Sequence, residues 1–251
     1  MLVKEVLDHH YGNLAACYDE FLYYSPQFVR ALTQKMIEHL ALRPEDALVD
    51  LGCGTGMYSQ DILEQVPLRQ EILGVDPYAE MLEQTPPEAR IQPLQADALQ
   101  FSNMALVYDK VLVKEAIHHV PLSDRQTLFR NLHRHLSRDG RLLLVHVPPK
   151  LDYPLFAAAL QRCERWHADP NELESLLCKA GYTVHRDALD YQHEIPKETY
   201  FQMVDGRYMS VLSSFSDEEI RLGLAEMEER YAYEPTLRFV DHFDYIVGIR
   251  D

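Results

Sequence analysis

The run Val49-Asp50-Leu51-Gly52-Cys53-Gly54-Thr55-Gly56 restricts what this chain can fold into more than any other stretch. Ala47 to Leu51 read as a buried strand, the alternating glycines permit a tight turn and close approach of backbone to a ligand, and the residues from Tyr58 onward read as a helix. A strand that turns through glycines into a helix is the opening unit of a doubly wound α/β fold, whose ligands bind beyond the carboxyl ends of the strands. Two later strands also end in acids. Glu71 to Val75 leads into Asp76, 24 residues past Gly52. Such folds set a ribose-binding carboxylate about 20 residues along. Gln95-Ala96-Asp97-Ala98 closes the third strand in the same manner.

From roughly Tyr11 to Val147, this order of glycine loop, acid after strand two and Ala-Asp-Ala after strand three resembles the class I S-adenosylmethionine (AdoMet)-dependent methyltransferases. The resemblance implies an α/β, doubly wound, mostly parallel seven-stranded sheet with helices on both faces. It implies AdoMet as cofactor and S-adenosylhomocysteine (AdoHcy) as product. Asp50, Gly52, Cys53, Gly54 and Gly56 would wrap the cofactor's amino-acid end, Asp76 with Pro77 the ribose, and Asp97 with Ala98 the adenine. A dinucleotide site is the competing expectation, but its fingerprint is G-x-G-x-x-G with a helix N-terminus left for a pyrophosphate. Here Met57, Tyr58 and Ser59 follow Gly56 with no further glycine.

With 251 residues, 47% of them hydrophobic, the chain can bury one substantial core and a small cap. Its net charge of -16, without a cluster of Lys and Arg, argues against a nucleic-acid substrate and for a small-molecule one. Cys17, Cys53, Cys163 and Cys178 have neither close pairing nor metal-ligand spacing. With no signal-peptide pattern, that makes the expectation a cytoplasmic protein, monomer or homodimer, without metal or membrane span.

Helix and strand patterns alternate along the chain. Ser25-Pro26 opens a helix with Phe28, Leu32, Met36 and Leu40 on one face, and Asp109 to Val113 is strand four. Ser123 and Gln126 predict a capping box for the helix that follows. Arg141 to Val147 is strand five, a helix runs from Pro170 to Gly181, Tyr182 to Leu189 is strand six, and Arg238 to Ile249 closes the sheet. Roughly 45 residues separate the last two strands, too many for an ordinary connection. Pro196 begins a helix over 197–209, and Ser216 with Glu219 caps another over 217–230. The division expected is a core with an N-terminal lid segment over 1–190, a helical cap over 191–235, covering substrate or serving as a dimer contact, and a final strand over 236–251.

Tyr11 and Tyr18, seven apart with small residues between them, resemble the N-terminal segment that folds over the cofactor in small-molecule methyltransferases. Their rings can meet a sulfonium through cation–π attraction or simply pack on the core. Lys114-Glu115-Ala116-Ile117-His118-His119 follows strand four, where the methyl group should point. Helical neighbours differ by about 100°, so the two histidines cannot share a pocket if this turn is helical. Both are catalytic candidates, His119 the preferred base or orienting group, and one of the two is structural; spacing does not say which. Lys114 and Glu115 are expected at the cofactor, Glu115 near the sulfonium, and Lys114 either binds a substrate carboxylate or pairs with Glu115. Tyr200, Arg207, Tyr208 and Trp166 are candidates for an aromatic wall and cationic anchor, or for the cap's own core. The function expected is methyl transfer to nitrogen, oxygen or possibly sulfur of a small metabolite. The alternatives are a non-catalytic AdoMet-binding regulator and a protein methyltransferase with a basic partner.

Overall fold

The computed structural model describes residues 3–15 and 25–251. In chain order the elements are α1 (Val3–Leu14), α2 (Pro26–Leu40), β1 (Leu48–Leu51), α3 (Met57–Gln65), β2 (Ile72–Asp76), α4 (Ala79–Leu82), β3 (Ile91–Gln95), α5 (Ala98–Ser102) and β4 (Tyr108–Lys114). A 3₁₀ turn at Ile117–His119 follows, then α6 (Leu122–His135), β5 (Leu136–His146), α7 (Ala157–Trp166), α8 (Pro170–Ala180) and β6 (Thr183–Pro196). α9 (Lys197–Asp205), a 3₁₀ turn at Ser210–Ser214, α10 (Asp217–Arg230) and β7 (Thr236–Ile249) complete the chain.

The seven strands lie in the order β3-β2-β1-β4-β5-β7-β6. β1 to β5 are parallel, and β7 runs antiparallel between β5 and β6. The order reverses between β1 and β4, which puts the ligand crevice outside their carboxyl ends. Both faces are covered because alternate side chains of each strand go to opposite sides. Val111, Val113, Leu142, Leu144 and Ile246 meet α6 and α8, while Leu112, Leu143, Val145 and Tyr245 meet α2 and α3. α2 starts where expected: Phe28 N donates to Ser25 Oγ at 3.1 Å.

The predicted Ser123–Gln126 capping box does not form. Proline's fixed φ suits the extended residue before a helix, so Pro121 takes the cap position and Ser123 falls inside α6, donating to Asp124 at 3.1 Å. α7 was not anticipated. Its Ala159 and Cys163 are buried against the helices between β6 and β7. Strand six, expected to end at Leu189, continues to Pro196, because Tyr191, His193 and Ile195 keep turning inward at every second position. β6 pairs with β7 from Thr183 opposite Ile249 to Pro196 opposite Thr236, whereas β5 meets β7 only as far as His146 opposite Asp244. The outer half of this hairpin therefore projects beyond the sheet. α9, shorter than the expected helix, and α10 pack there with α7 around Phe156, Ile195, Tyr200, Leu212 and Leu237. Among the described residues no helix is long and apolar enough to cross a membrane.

Candidate active site

A cavity of about 980 Å³ opens at the carboxyl ends of β1, β2 and β4. The glycine loop forms its floor. Gly52 N and Cys53 N both donate to Val75 O, at 2.7 and 3.2 Å, tying the loop to β2. Gly52 has φ +86°, and a Cβ there would stand 2.4 Å from the Ala116 Cβ, so only glycine lets this loop meet the turn after β4. Asp50, Cys53, Gly54, Pro77, Asp97 and Ala98 also line the cavity. Gly56 does not: it precedes α3 with φ +82°, and a Cβ would come within 3.0 Å of Ile91, so its place is explained by packing.

Three acids stand around this cavity in different states. Asp50 is 3% exposed and accepts a hydrogen bond from Ser59 Oγ at 2.7 Å. Burial, opposed by that bond and aided by the nearby Asp76, raises its pKa to about 6. Asp76 is 7% exposed and accepts from Gly54 N and Tyr78 N, both at 3.0 Å. Burial still holds its pKa above the usual value. Through those two amides Asp76 also organises the loop. Asp97 is exposed and caps α5, accepting from Gln100 N at 2.8 Å while its own N–H donates to the Gln100 side chain at 3.1 Å.

α1 runs over the cavity. The Tyr11 hydroxyl lies 2.9 Å from His119 Nε2, Tyr78 donates to Asp8 at 3.2 Å, and His10 Nδ1 lies 2.8 Å from Ser213 Oγ in the segment between α9 and α10. Tyr78, whose ring centroid is 5.0 Å from that of Tyr11, is a lining residue the sequence reading missed. Tyr18 and Cys17 lie outside the described residues.

The turn after β4 divides the site. Glu115 takes a left-handed backbone (φ +48°), a strained conformation for a residue with a Cβ, and its N–H donates to Val145 O at 2.7 Å. Its carboxylate is paired with Lys114, whose ammonium also sits 4.2 Å from the centre of the Tyr58 ring. Burial disfavours the Glu115 charge, but the Lys114 charge and hydrogen bond outweigh it and hold the pKa below the ordinary value. Ile117 is buried in the core. Beyond it His119 lines the large cavity and His118 lines a second pocket, their ring centroids 4.0 Å apart. Burial, helped by His10 and His167, lowers the His119 pKa to about 3. Burial and the neighbouring His119 also push His118 well down. Both are neutral near pH 7.

The second pocket, about 90 Å³, lies between the β4 turn and the projecting hairpin, and shares Tyr11 and Glu115 with the large cavity. Tyr200 and Tyr208 line it, their hydroxyls 3.0 Å apart. Asp241 accepts from the Tyr153 hydroxyl and lies 2.7 Å from His193 Nε2. His167, next to Trp166, lines this pocket together with Tyr153, His193, Phe239 and Asp241, which were not foreseen; the trace His193, Phe239 and Asp241 left in the sequence is the inward alternation of β6 and β7. Two candidates fall outside both pockets. Trp166 ends α7 with its ring against the apolar cluster of α7, α9 and α10, leaving the next residue, His167, to enter the pocket. Arg207 bonds Asp217 at 2.6 Å on the exterior side.

The methyltransferase domain family matches residues 48–140, the span that carries the loop, the three acids and the β4 turn. Over that span the chain carries a methyltransferase domain. This methyltransferase is 25% identical over 146 residues to a malonyl-[acyl-carrier protein] O-methyltransferase of Bacillus cereus, covering 57% of this chain and 53% of that one. It is 30% identical over 148 residues to the protein of the same name from Alcanivorax borkumensis, covering 56% and 47%. The chain thus spans about half the length of the curated relatives it matches. A solved methyltransferase from an antibiotic biosynthesis pathway of Anabaena variabilis has the same fold, with TM-score 0.65, 18% identity and coverage of 86% and 96%. AdoMet is the cofactor of this family, and the large cavity is of a size that takes it: sites for such molecules span about 300–1,000 Å³. Among the described residues no cluster of His, Cys, Asp or Glu can hold a metal ion.

Proposed function

We propose that this methyltransferase moves the methyl group of AdoMet to a nitrogen or oxygen of a small metabolite. The observation that carries this reading is the pair of adjoining pockets, one of cofactor size and one far smaller, with Tyr11 and Glu115 as their common wall. AdoMet, when bound, supplies an electrophilic methyl on a sulfonium. Asp50, Gly52, Cys53 and Gly54 would hold its amino-acid end, Asp76 and Pro77 the ribose, and Asp97 and Ala98 the adenine. In that transfer the acceptor's lone pair would form the bond to the methyl carbon as the carbon–sulfur bond broke, with sulfur keeping the pair and the acceptor's proton leaving to solvent. The protein's own contribution is alignment, which is worth about 7 to 11 kcal/mol in well-oriented systems. His119 positions the Tyr11 ring through their hydrogen bond, while His118, neutral, offers a lone pair to the acceptor.

Transfer to an acyl oxygen is a second reading, favoured by the names of the two curated relatives. A protein substrate fits poorly, because a pocket of about 90 Å³ under the hairpin gives a polypeptide no open groove. Calorimetric titration tests the primary reading. AdoMet and AdoHcy should bind one per chain, and NADH should not. NADH binding in place of AdoHcy overturns the reading; AdoHcy binding without turnover on any acceptor leaves a regulator.

A further inference from the structure

The small pocket selects by charge. Its described wall carries two carboxylates, Glu115 and Asp241, and no lysine or arginine. Lys114, which offsets Glu115, faces the large cavity instead. Asp241 is held by a tyrosine hydroxyl and a histidine nitrogen, and aromatic faces stand around it: the Phe239 ring centre lies 5.2 Å from that of Tyr153, 5.4 Å from Tyr200 and 5.1 Å from His193. His167 Nδ1 is buried with no hydrogen-bond partner among the described residues. Burial pushes this imidazole down to about 4, so at neutral pH it has a lone pair to offer and no charge.

A carboxylate placed here would meet two carboxylates and no free cation, in surroundings that have already expelled much of the water that would screen them. An ammonium would meet a carboxylate, ring faces and an imidazole lone pair, each of which favours a cation. We infer that this pocket takes the ammonium head of the methyl acceptor, so that the acceptor is an amine-bearing metabolite. The inference rests on the methyltransferase reading above. It departs from the acyl acceptor named for the curated relatives. About 90 Å³ accommodates about four non-hydrogen atoms, given that a cavity of about 150 Å³ holds benzene. The head is therefore a short alkylamine portion, with the rest of the molecule reaching past Glu115.

Propylamine, propan-1-ol and propionate are matched probes of that size. With the full chain saturated with AdoHcy, ligand-observed NMR titration should rank propylamine tightest, at least about tenfold ahead of propionate. Asp241→Asn should weaken propylamine about 10- to 100-fold while AdoHcy affinity is kept. Because Asp241 also holds Tyr153 and His193, Phe239→Leu serves as the second variant: it preserves apolar bulk and should cost propylamine about threefold or more while sparing propan-1-ol. Propionate equal to or tighter than propylamine on the wild-type protein, or equal losses for propylamine and propan-1-ol in Phe239→Leu, overturns the inference. Failure of AdoHcy itself to bind would instead remove the methyltransferase reading beneath it.

Discussion

Replacing Asp50 with asparagine should make the ligand-free protein more stable. The side chain is 3% exposed, and burial raises its pKa from 3.8 to about 6. A carboxyl whose folded pKa is raised contributes stability below its unfolded pKa and loses it as pH climbs through the folded one. Each tenfold in that equilibrium is about 1.4 kcal/mol, so ionised Asp50 costs the folded state about 3 kcal/mol at pH 7 and about half as much at pH 5. Asparagine keeps the volume and still accepts from Ser59, but carries no charge to bury. Urea unfolding at pH 7 should therefore favour Asp50→Asn by about 3 kcal/mol, or about 6 to 12 °C in Tm, with the gap halving at pH 5. AdoHcy affinity should move the other way, because a charge retained at such a cost in a ligand cavity serves the ligand. A variant no more stable than wild type at pH 7, or a gap independent of pH, would refute the assignment of burial as the cause.

Asp76→Ala leaves the N–H groups of Gly54 and Tyr78 without their acceptor, so we expect a loss of about 1 to 3 kcal/mol in urea unfolding together with weaker AdoHcy binding; unchanged stability would show that the loop does not depend on this carboxylate. For His119, held near pKa 3, the acidic limb of turnover from this group should be absent between pH 5 and 8, because the neutral form persists throughout that range. A limb near pH 6.5 that disappears in His119→Asn would contradict this and restore His119 as a proton acceptor.

The cofactor side of the molecule was legible because its constraints are local. Gly52, Asp76 and Asp97 each stand at or just past the end of a short strand, and a strand, a turn and a helix N-terminus are readable from adjacent residues. The acceptor side was not, because its residues converge from Tyr153, His167, His193 and Asp241 through pairings that no local window contains. His193 and Asp241 meet across two antiparallel strands, 48 positions apart. Trp166 and His167 show the limit of residue type as a guide: the larger ring packs, and the smaller one enters the pocket. His118 and His119 line different pockets from a turn that is 3₁₀ rather than α. What the sequence could not supply was their burial, which determines their charge.

The projecting half of the β6–β7 hairpin separates two kinds of inheritance. The large cavity draws its wall from α1 and from residues 50–128, whereas the small pocket beyond Tyr11, Glu115 and His118 is built from residues 153–241. If the small pocket takes the acceptor as proposed, changing the hairpin's inward residues, or exchanging the helices it carries, re-specifies the acceptor while leaving the AdoMet half intact. A chimera joined at Pro196 and Thr236, the last paired positions, is where that interchangeability can be exploited. On the proposed reading, the match to the methyltransferase domain and the choice of acceptor are recorded in different parts of this chain.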